Sequence, residues 1–190
     1  HAVARARTLG VPAVALSFEP LPREFFAGGA PPPRLQLPRM KLGELQALGV
    51  DRVGLLHFNA AFAGLSPEDF VHRLLLARLR AREVWVGPGF RFGHARTGHL
   101  ALLQQMGAEL GFTAGSIAPV ELDGAPVSST RIRTALQGGA ERGVERDELL
   151  VRVHVVVTRN LVFQALHAGA RLRAADREPG LAQRLRVRGL

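Results

Sequence analysis

Three hydroxyl residues followed by two arginines form the clearest binding motif of this sequence. Ser128, Ser129 and Thr130 stand at the predicted start of a helix, and Arg131 and Arg133 follow in its first turns. The free N–H groups of a helix start attract anions, and hydroxyls and arginines can bind phosphate oxygens. The alternative is an ordinary serine cap with surface arginines. The number of hydroxyls and arginines together favours phosphate binding.

A second segment, residues 17–26, combines prolines with phenylalanines directly after a predicted strand. Pro20 and Pro22 stiffen the loop, and Phe25 and Phe26 could line a flat apolar slot for an aromatic ring system. From the residue types alone, a loop held on the core by its phenylalanines is the simpler interpretation.

A third segment, residues 86–93, places glycines around two phenylalanines. Alternation puts Phe90 and Phe92 on one face, and Gly93 allows a close approach of the backbone to a ligand. A structural turn explains the same pattern equally well.

The histidines do not predict a metal site. None of them has a metal-like spacing to other ligands, and the sequence contains no cysteine. His94 and His99 flank a glycine-containing loop and could touch a ligand, but a structural or solvent-exposed role is the expectation for each histidine.

The elements that position these segments alternate between strands and helices. The apolar residues 12–18 predict a buried strand, and Ser66 followed by Pro67 marks a helix start. Further strands are predicted at residues 51–56, 83–87 and 112–120, and helices at 38–48, 70–79, 99–110 and 129–137. The alternation predicts an α/β fold with a parallel sheet and helices on both faces, with ligands bound beyond the carboxyl ends of the strands.

Composition and charge narrow the class of protein. The 190 residues are 47% hydrophobic and carry a net charge of +9, and no apolar run approaches the ~20 residues of a membrane helix. The lack of cysteine excludes a disulfide scaffold and fits a cytoplasmic protein.

Positive charge is concentrated after residue 130. A strand at residues 148–157 and a helix at 161–172 are predicted there, within an otherwise irregular basic extension. No aromatic residues interleave with the arginines of the tail, so solvated arginines are expected rather than a nucleic-acid site.

Taken in order, these segments resemble the FMN adenylyltransferase (FAD synthetase) part of the bacterial bifunctional riboflavin kinase/FAD synthetase family. The V-S-S-T-R-I-R and F-R-F-G motifs are the most specific. The matching segments are residues 18–26, 34–41, 49–51, 58–70, 86–98 and 127–133, and the resemblance covers roughly residues 10–138.

The resemblance implies a nucleotidyltransferase-type, Rossmann-like sheet and the transfer of AMP from ATP to FMN, which gives FAD and pyrophosphate with Mg²⁺ present. Small-molecule nucleotides are then the partners, with no membrane. By similarity, the ATP phosphates are held by Ser128, Ser129, Thr130, Arg131 and Arg133. The flavin site implied by similarity contains Pro20, Pro22, Phe25, Phe90, Phe92 and Gly93.

The sequence also departs from the family. The family's first motif, whose histidines stabilise the transition state, has no counterpart, and no riboflavin kinase motif is present. We therefore expect a FAD synthetase-like domain at residues 1–138 that is incomplete at its N-terminus, with His1 as the one candidate for a catalytic residue. Residues 139–190 are expected to be a separate extension, and a shifted reading frame is one hypothesis for its origin.

Three other functions stay open. The chain could be a nucleotide- or flavin-binding module without catalysis, a nucleotidyltransferase for another acceptor, or a basic nucleic-acid binder that uses residues 131–190.

Overall fold

The computed structural model describes residues 1–122, 124–137, 162–166 and 183–187. The strands are β1 (Ala13–Glu19), β2 (Arg52–His57), β3 (Ala81–Val86), β4 (Arg91–Phe92), β5 (Gly98–His99), β6 (Thr113–Ser116), β7 (Glu121–Leu122), β8 (Ala125–Pro126), β9 (Val162–Leu166) and β10 (Gln183–Val187). The helices are α1 (Ala2–Thr8), α2 (Pro22–Phe25), α3 (Pro38–Ala47), α4 (Ala60–Ala63), α5 (Pro67–Asp69), α6 (Leu100–Leu110) and α7 (Ser129–Gln137). A π-helical segment, Phe70–Arg78, continues α5, and a short 3₁₀ turn covers His94–Arg96.

A six-stranded sheet in the order β10-β2-β1-β9-β3-β6 forms the centre of the described structure. The pairs β1–β2, β2–β10 and β3–β6 are parallel. Between β1 and β2 the chain passes through α3, and between β3 and β6 it passes through α6. These crossovers bring the carboxyl ends of β1, β2, β3 and β6 to one edge, which we call the ligand edge.

Alternating side chains of β1 divide the core between the two faces of the sheet. Val14 and Leu16 pack with the π-helical segment and with α6, whereas Ala15 packs with α1 and α3. Both sets are buried because the strand is covered on each face. The predicted arrangement of helices on both faces is therefore confirmed for the described residues.

Helix ends follow the local sequence signals. The Ser66 hydroxyl accepts a hydrogen bond from the Asp69 N–H at 3.0 Å, as expected of a serine cap. Gly111 ends α6 with φ +82°, a conformation that costs other residues free energy. The π-helical segment is wider than an α-helix at its C-terminal end, where the Leu79 N–H donates to the Leu74 carbonyl, five residues earlier.

The sheet is mixed rather than wholly parallel. Strand β9 runs antiparallel to both β1 and β3 and lies between them. The prediction of a helix at residues 161–172 is therefore wrong for 162–166, where pairing on both sides satisfies the backbone groups of an extended segment. The strand predicted at residues 148–157 lies outside the described residues.

None of the helices in the described ranges is long and apolar enough to cross a membrane.

Candidate functional site

The loop that leaves β1 at the ligand edge is braced by one arginine between two carboxylates. Arg34 donates hydrogen bonds to Glu19 at 2.6 and 3.1 Å and to Glu24 at 2.5 and 2.6 Å. Glu24 also accepts the Leu21 N–H at 2.9 Å, which closes the first turn of α2. The bonds from Arg34 hold the pKa of the Glu24 carboxyl below its usual value. The loop is therefore fixed in place before any ligand arrives.

Phenylalanine rings cover this braced loop. Phe25 and Phe26 are 39% and 67% exposed and meet Phe58 edge-on, with centroids 5.3 and 5.7 Å away. Phe58 itself is buried and packs against Phe18 at the end of β1. Exposed aromatic faces that rest on a buried ring provide a firm apolar surface for a flat ligand.

The β4–β5 hairpin carries the other predicted flavin residues. Phe90 and Phe92 stack with their centroids 5.6 Å apart, and Phe92 is buried against Phe70. Gly93 has φ +73°, and a Cβ there would lie 2.7 Å from the Pro67 nitrogen. Phe92 and Gly93 thus have packing roles of their own, and Phe90 is the partly exposed ring of the pair.

The start of α7 presents hydroxyl groups as the sequence predicts. The Ser128 hydroxyl accepts the Arg131 N–H at 3.2 Å, and Ser128 and Thr130 are exposed. Arg131 donates to the carbonyls of Leu122 and Ala125, at 3.0 and 2.9 Å, so its guanidinium anchors the β7–β8 hairpin to the helix. Of the two arginines in the motif, Arg133 is therefore the one that can contribute to binding at the ligand edge.

Arg133 connects α7 to the loop before α3. Its Nε donates to the Pro33 carbonyl at 2.9 Å and its Nη1 to the Ser129 carbonyl at 3.1 Å. Because Pro33 precedes Arg34, this contact brings the phosphate-type motif next to the braced loop. Burial lowers the pKa of the Arg133 guanidinium, and the positive charge of Arg23 lowers it further.

Sequence reasoning missed Lys41 as a member of this region. The Lys41 ammonium donates to the Ser17 hydroxyl at 3.2 Å, where Ser17 is a buried polar residue of β1. Burial lowers the pKa of this ammonium. Arg34 was missed in the same way, although both residues lie within the resembling segment 34–41. Arg34 precedes α3 and Lys41 lies in its first turn. At either place the sequence gives no sign that the head group is enclosed.

His1 lies on the ring of Trp85. The two rings meet edge-to-face with centroids 4.1 Å apart, and Trp85 in turn donates to Glu83 at 2.9 Å. This packing gives His1 a structural contact, and its catalytic role stays a prediction.

A protein-bound metal site is not present in the part of the chain that the structure describes. There, no three histidine, cysteine or acidic side chains come together in a way that could hold an ion. The described residues therefore do not fit a resident Mg²⁺.

The fold and site together define a class: an α/β domain whose ligand edge joins an aromatic surface to a basic, phosphate-type helix start. Sequence comparison identifies the family. The family model described as FAD synthetase matches residues 1–131, and the chain belongs to that family.

Curated relatives agree with this assignment. The chain is 45% identical over 132 residues to a bifunctional riboflavin kinase/FMN adenylyltransferase of Pseudomonas fluorescens, a match that covers 70% of this chain and 42% of the relative. The protein of the same name from Escherichia coli (strain K12) is 40% identical over 130 residues, covering 68% and 42%. The chain thus spans less than half the length of these relatives.

One solved structure shares the fold. It is described as a macrolide-efflux protein from Streptococcus pneumoniae, with a TM-score of 0.57, 24% identity, and coverage of 72% of this chain and 45% of that chain. At this identity, the likeness concerns the fold alone.

Proposed function

We propose that this chain carries the adenylyl-transfer part of an FMN adenylyltransferase, with ATP and FMN as its substrates. An oxygen of the FMN phosphate attacks the α-phosphorus of ATP, the bond to pyrophosphate breaks, and FAD forms. The family membership and the curated relatives support this reaction. The same family membership supports the proposal that the sheet is of the nucleotidyltransferase, Rossmann-like type. The cytoplasmic location expected from the sequence stays a prediction.

One contact carries the proposal. The hydrogen bond from Arg133 to the Pro33 carbonyl places the hydroxyl-rich start of α7 beside the loop that bears the exposed phenylalanines. A flavin has a flat apolar ring at one end and a phosphate at the other, so a ligand of this shape fits an aromatic surface next to an anion site. The reaction needs no covalent enzyme intermediate.

Positioning and charge stabilisation are what the residues supply. In this proposal, Ser128, Ser129 and Thr130 donate to ATP phosphate oxygens, while Arg133 offsets the charge that grows on the leaving pyrophosphate. Phe25 and Phe90 would contact the flavin ring, and Pro20 and Pro22 keep the loop stiff. The remaining members of the predicted set, Arg131, Phe92 and Gly93, hold the neighbouring hairpins in place.

The direct test is FAD formation from FMN, ATP and Mg²⁺ by the purified 190-residue chain, with FMN and ATP binding measured in parallel. We expect turnover, and we expect the double variant Ser128→Ala/Thr130→Val to weaken ATP binding. Thr113→Val, an exposed threonine at the amino end of β6 and therefore at the opposite end of that strand from the ligand edge, serves as the matched control and should leave ATP binding unchanged.

Each other outcome points to a different function. Binding of both substrates without turnover would support a non-catalytic nucleotide- and flavin-binding module. Turnover with another acceptor but not with FMN would contradict the acceptor. Failure to bind either substrate, combined with salt-sensitive binding to nucleic acid, would replace the proposal with the basic nucleic-acid binder.

A further inference from the structure

Arg23 is a basic residue of the ligand edge that lies within the resembling segment 18–26 and that has no role in the site described above. It lies in α2, between the rigid Pro22 and the exposed Phe25. Its Nε atom is enclosed and has no hydrogen-bond partner among the described residues. A buried guanidinium N–H without an acceptor is unfavourable, so its position calls for an acceptor that the protein itself does not provide.

The nearest carboxylates are already engaged. Glu24, the next residue along α2, accepts two bonds from Arg34 and one from the Leu21 N–H. Glu19 accepts the other two bonds of Arg34. Within the described ranges, the ion pairs of both acids are made with Arg34 rather than with Arg23.

A second arginine of the ligand edge, Arg133, lies on α7 and reaches the Pro33 carbonyl. Burial lowers the pKa of its guanidinium, and the positive charge of Arg23 lowers it further. In the described part of the chain, neither of them forms an ion pair with a carboxylate.

A guanidinium without a carboxylate partner is stabilised by an anion that accepts its hydrogen bonds. A terminal phosphate monoester carries about two negative charges and three acceptor oxygens, so it can take a forked pair of bonds from one guanidinium. An internal phosphate of a nucleoside triphosphate has fewer free oxygens. Arg23 therefore fits a terminal phosphate better than an α-phosphate.

We propose that Arg23 holds the phosphate of the flavin substrate and is the residue that distinguishes FMN from riboflavin. Arg23 lies in the same short helix as Phe25. This position supports the proposal, because only a short chain links the ring of FMN to its phosphate. The inference rests on the proposed function, since it assumes that the aromatic surface binds a flavin.

The test compares FMN with riboflavin, which has the same ring system and no phosphate. Binding of each to the full chain is followed by quenching of flavin fluorescence in the unchanged protein, in Arg23→Met and in Arg23→Lys. Arg73→Met is the matched control, because Arg73 is an exposed arginine of the π-helical segment. Thermal unfolding of every variant checks that the fold is kept.

We expect Arg23→Met to weaken FMN binding about 10- to 100-fold and to leave riboflavin binding unchanged, as the loss of charged hydrogen bonds predicts. The FMN affinity of Arg23→Lys should lie between those of the unchanged chain and Arg23→Met, because lysine keeps the positive charge but cannot form the paired hydrogen bonds of a guanidinium. Arg73→Met should bind both flavins as the unchanged chain does.

Two results would overturn the inference while leaving the proposed function intact: equal losses for FMN and riboflavin, or no loss for either. If the unchanged chain binds neither flavin, both the inference and the proposed function fail. The two kinds of failure are therefore distinguishable in one experiment.

Discussion

Two networks of arginines and carboxylates hold this domain together, and they differ in their balance of charge. Around α1 the pairing is one to one: Arg5 bonds Glu83 at 2.5 and 3.1 Å, and Arg7 bonds Asp51 at 2.7 and 3.1 Å. Each base has its own acid, and the helix is fixed to β3 and to the start of β2 without excess charge.

At the ligand edge, a single arginine forms ion pairs with two carboxylates. Arg34 pairs with both Glu19 and Glu24. Arg23 and Arg133 stay without a carboxylate partner among the described residues. The same residue types that only fasten α1 therefore leave a positive excess beside the exposed phenylalanines.

The difference in charge balance gives the two networks different functions: the paired arginines hold α1 in place, and the unpaired arginines can bind an anion. A matched ion pair at a surface contributes little stability and attracts no ligand, since its field is cancelled nearby and screened by salt. Unmatched, partly enclosed guanidiniums raise the local concentration of anions. Substitutions in the two networks should consequently have different effects on ligand binding.

Arg133→Met tests the unmatched network most severely, and it has the largest expected effect. The substitution removes the positive charge and also the bond to the Pro33 carbonyl, so both the anion site and its placement are lost. We expect kcat/KM for FAD formation to fall about 10²-fold or more. Steady-state rates with Arg73→Met as control measure this, and an unchanged rate would exclude Arg133 from the reaction.

Glu24→Gln and Glu83→Gln compare the two networks directly. Both substitutions weaken an arginine pair, so both should lower the midpoint of thermal unfolding. Glu24→Gln should reduce the free energy of unfolding by about 2 kcal/mol, because it weakens charged hydrogen bonds of a mostly buried carboxylate.

Only Glu24→Gln should affect the ligand. Freed from Glu24, the Arg34 guanidinium no longer braces α2, and we expect FMN binding to weaken about tenfold. Glu83→Gln lies with α1 and should bind FMN normally. Equal losses of FMN binding in the two variants would mean that the networks do not differ in function.

Local signals predicted most of the regular structure. The caps at Ser66 and Ser128 and the glycine that ends α6 fix helix boundaries through bonds within a few residues, and the sequence displays such bonds directly. The hydroxyls of α7 were predicted on the same basis. For the loop after β1, the residue types alone favoured phenylalanines held on the core, whereas Phe25 and Phe26 are exposed.

Contacts between distant segments were not predictable in this way. The pairing of β9 with both β1 and β3 decides its extended form, and no short window contains that information. The packing of Gly93 on Pro67, and the bonds of Arg34 to two acids, likewise depend on loops that meet only in the folded chain.

The pH dependence of stability gives a further comparison of the two networks, with a smaller expected effect than the substitutions above. The folded-state pKa of Glu24 lies below its ordinary value of 4.5, mainly through the bonds from Arg34. Its contribution to stability is therefore complete above pH 4.5 and is lost as the pH falls through the lowered pKa. In urea unfolding, the stability difference between the unchanged chain and Glu24→Gln should narrow from pH 6 to pH 3.

Glu83→Gln should show the same narrowing, because the bond from Arg5 lowers the pKa of Glu83 as well. The two networks are thus expected to agree in their response to acid and to differ in FMN binding. A stability difference that stays constant between pH 6 and pH 3 would contradict the assignment of the lowered pKa values.

Lys41 gives the smallest predicted effect, at the other end of the pH scale. Burial lowers the pKa of its ammonium below 10.5, so between the lowered value and 10.5 the unfolded chain binds more protons than the folded one. Stability should therefore rise with pH across that window. The sequence has no tyrosine and no cysteine, and Lys41 is its one lysine, so few other side chains titrate there.

Urea unfolding at pH 8, 9 and 10 measures this rise, and Lys41→Met should abolish it. Lys41→Arg is the matched control, because a guanidinium stays protonated through the whole range and should show no rise either. If the unchanged chain and Lys41→Met give parallel curves, the Lys41 ammonium is solvated in solution. The bond from Lys41 to Ser17 would then not keep the ammonium away from water.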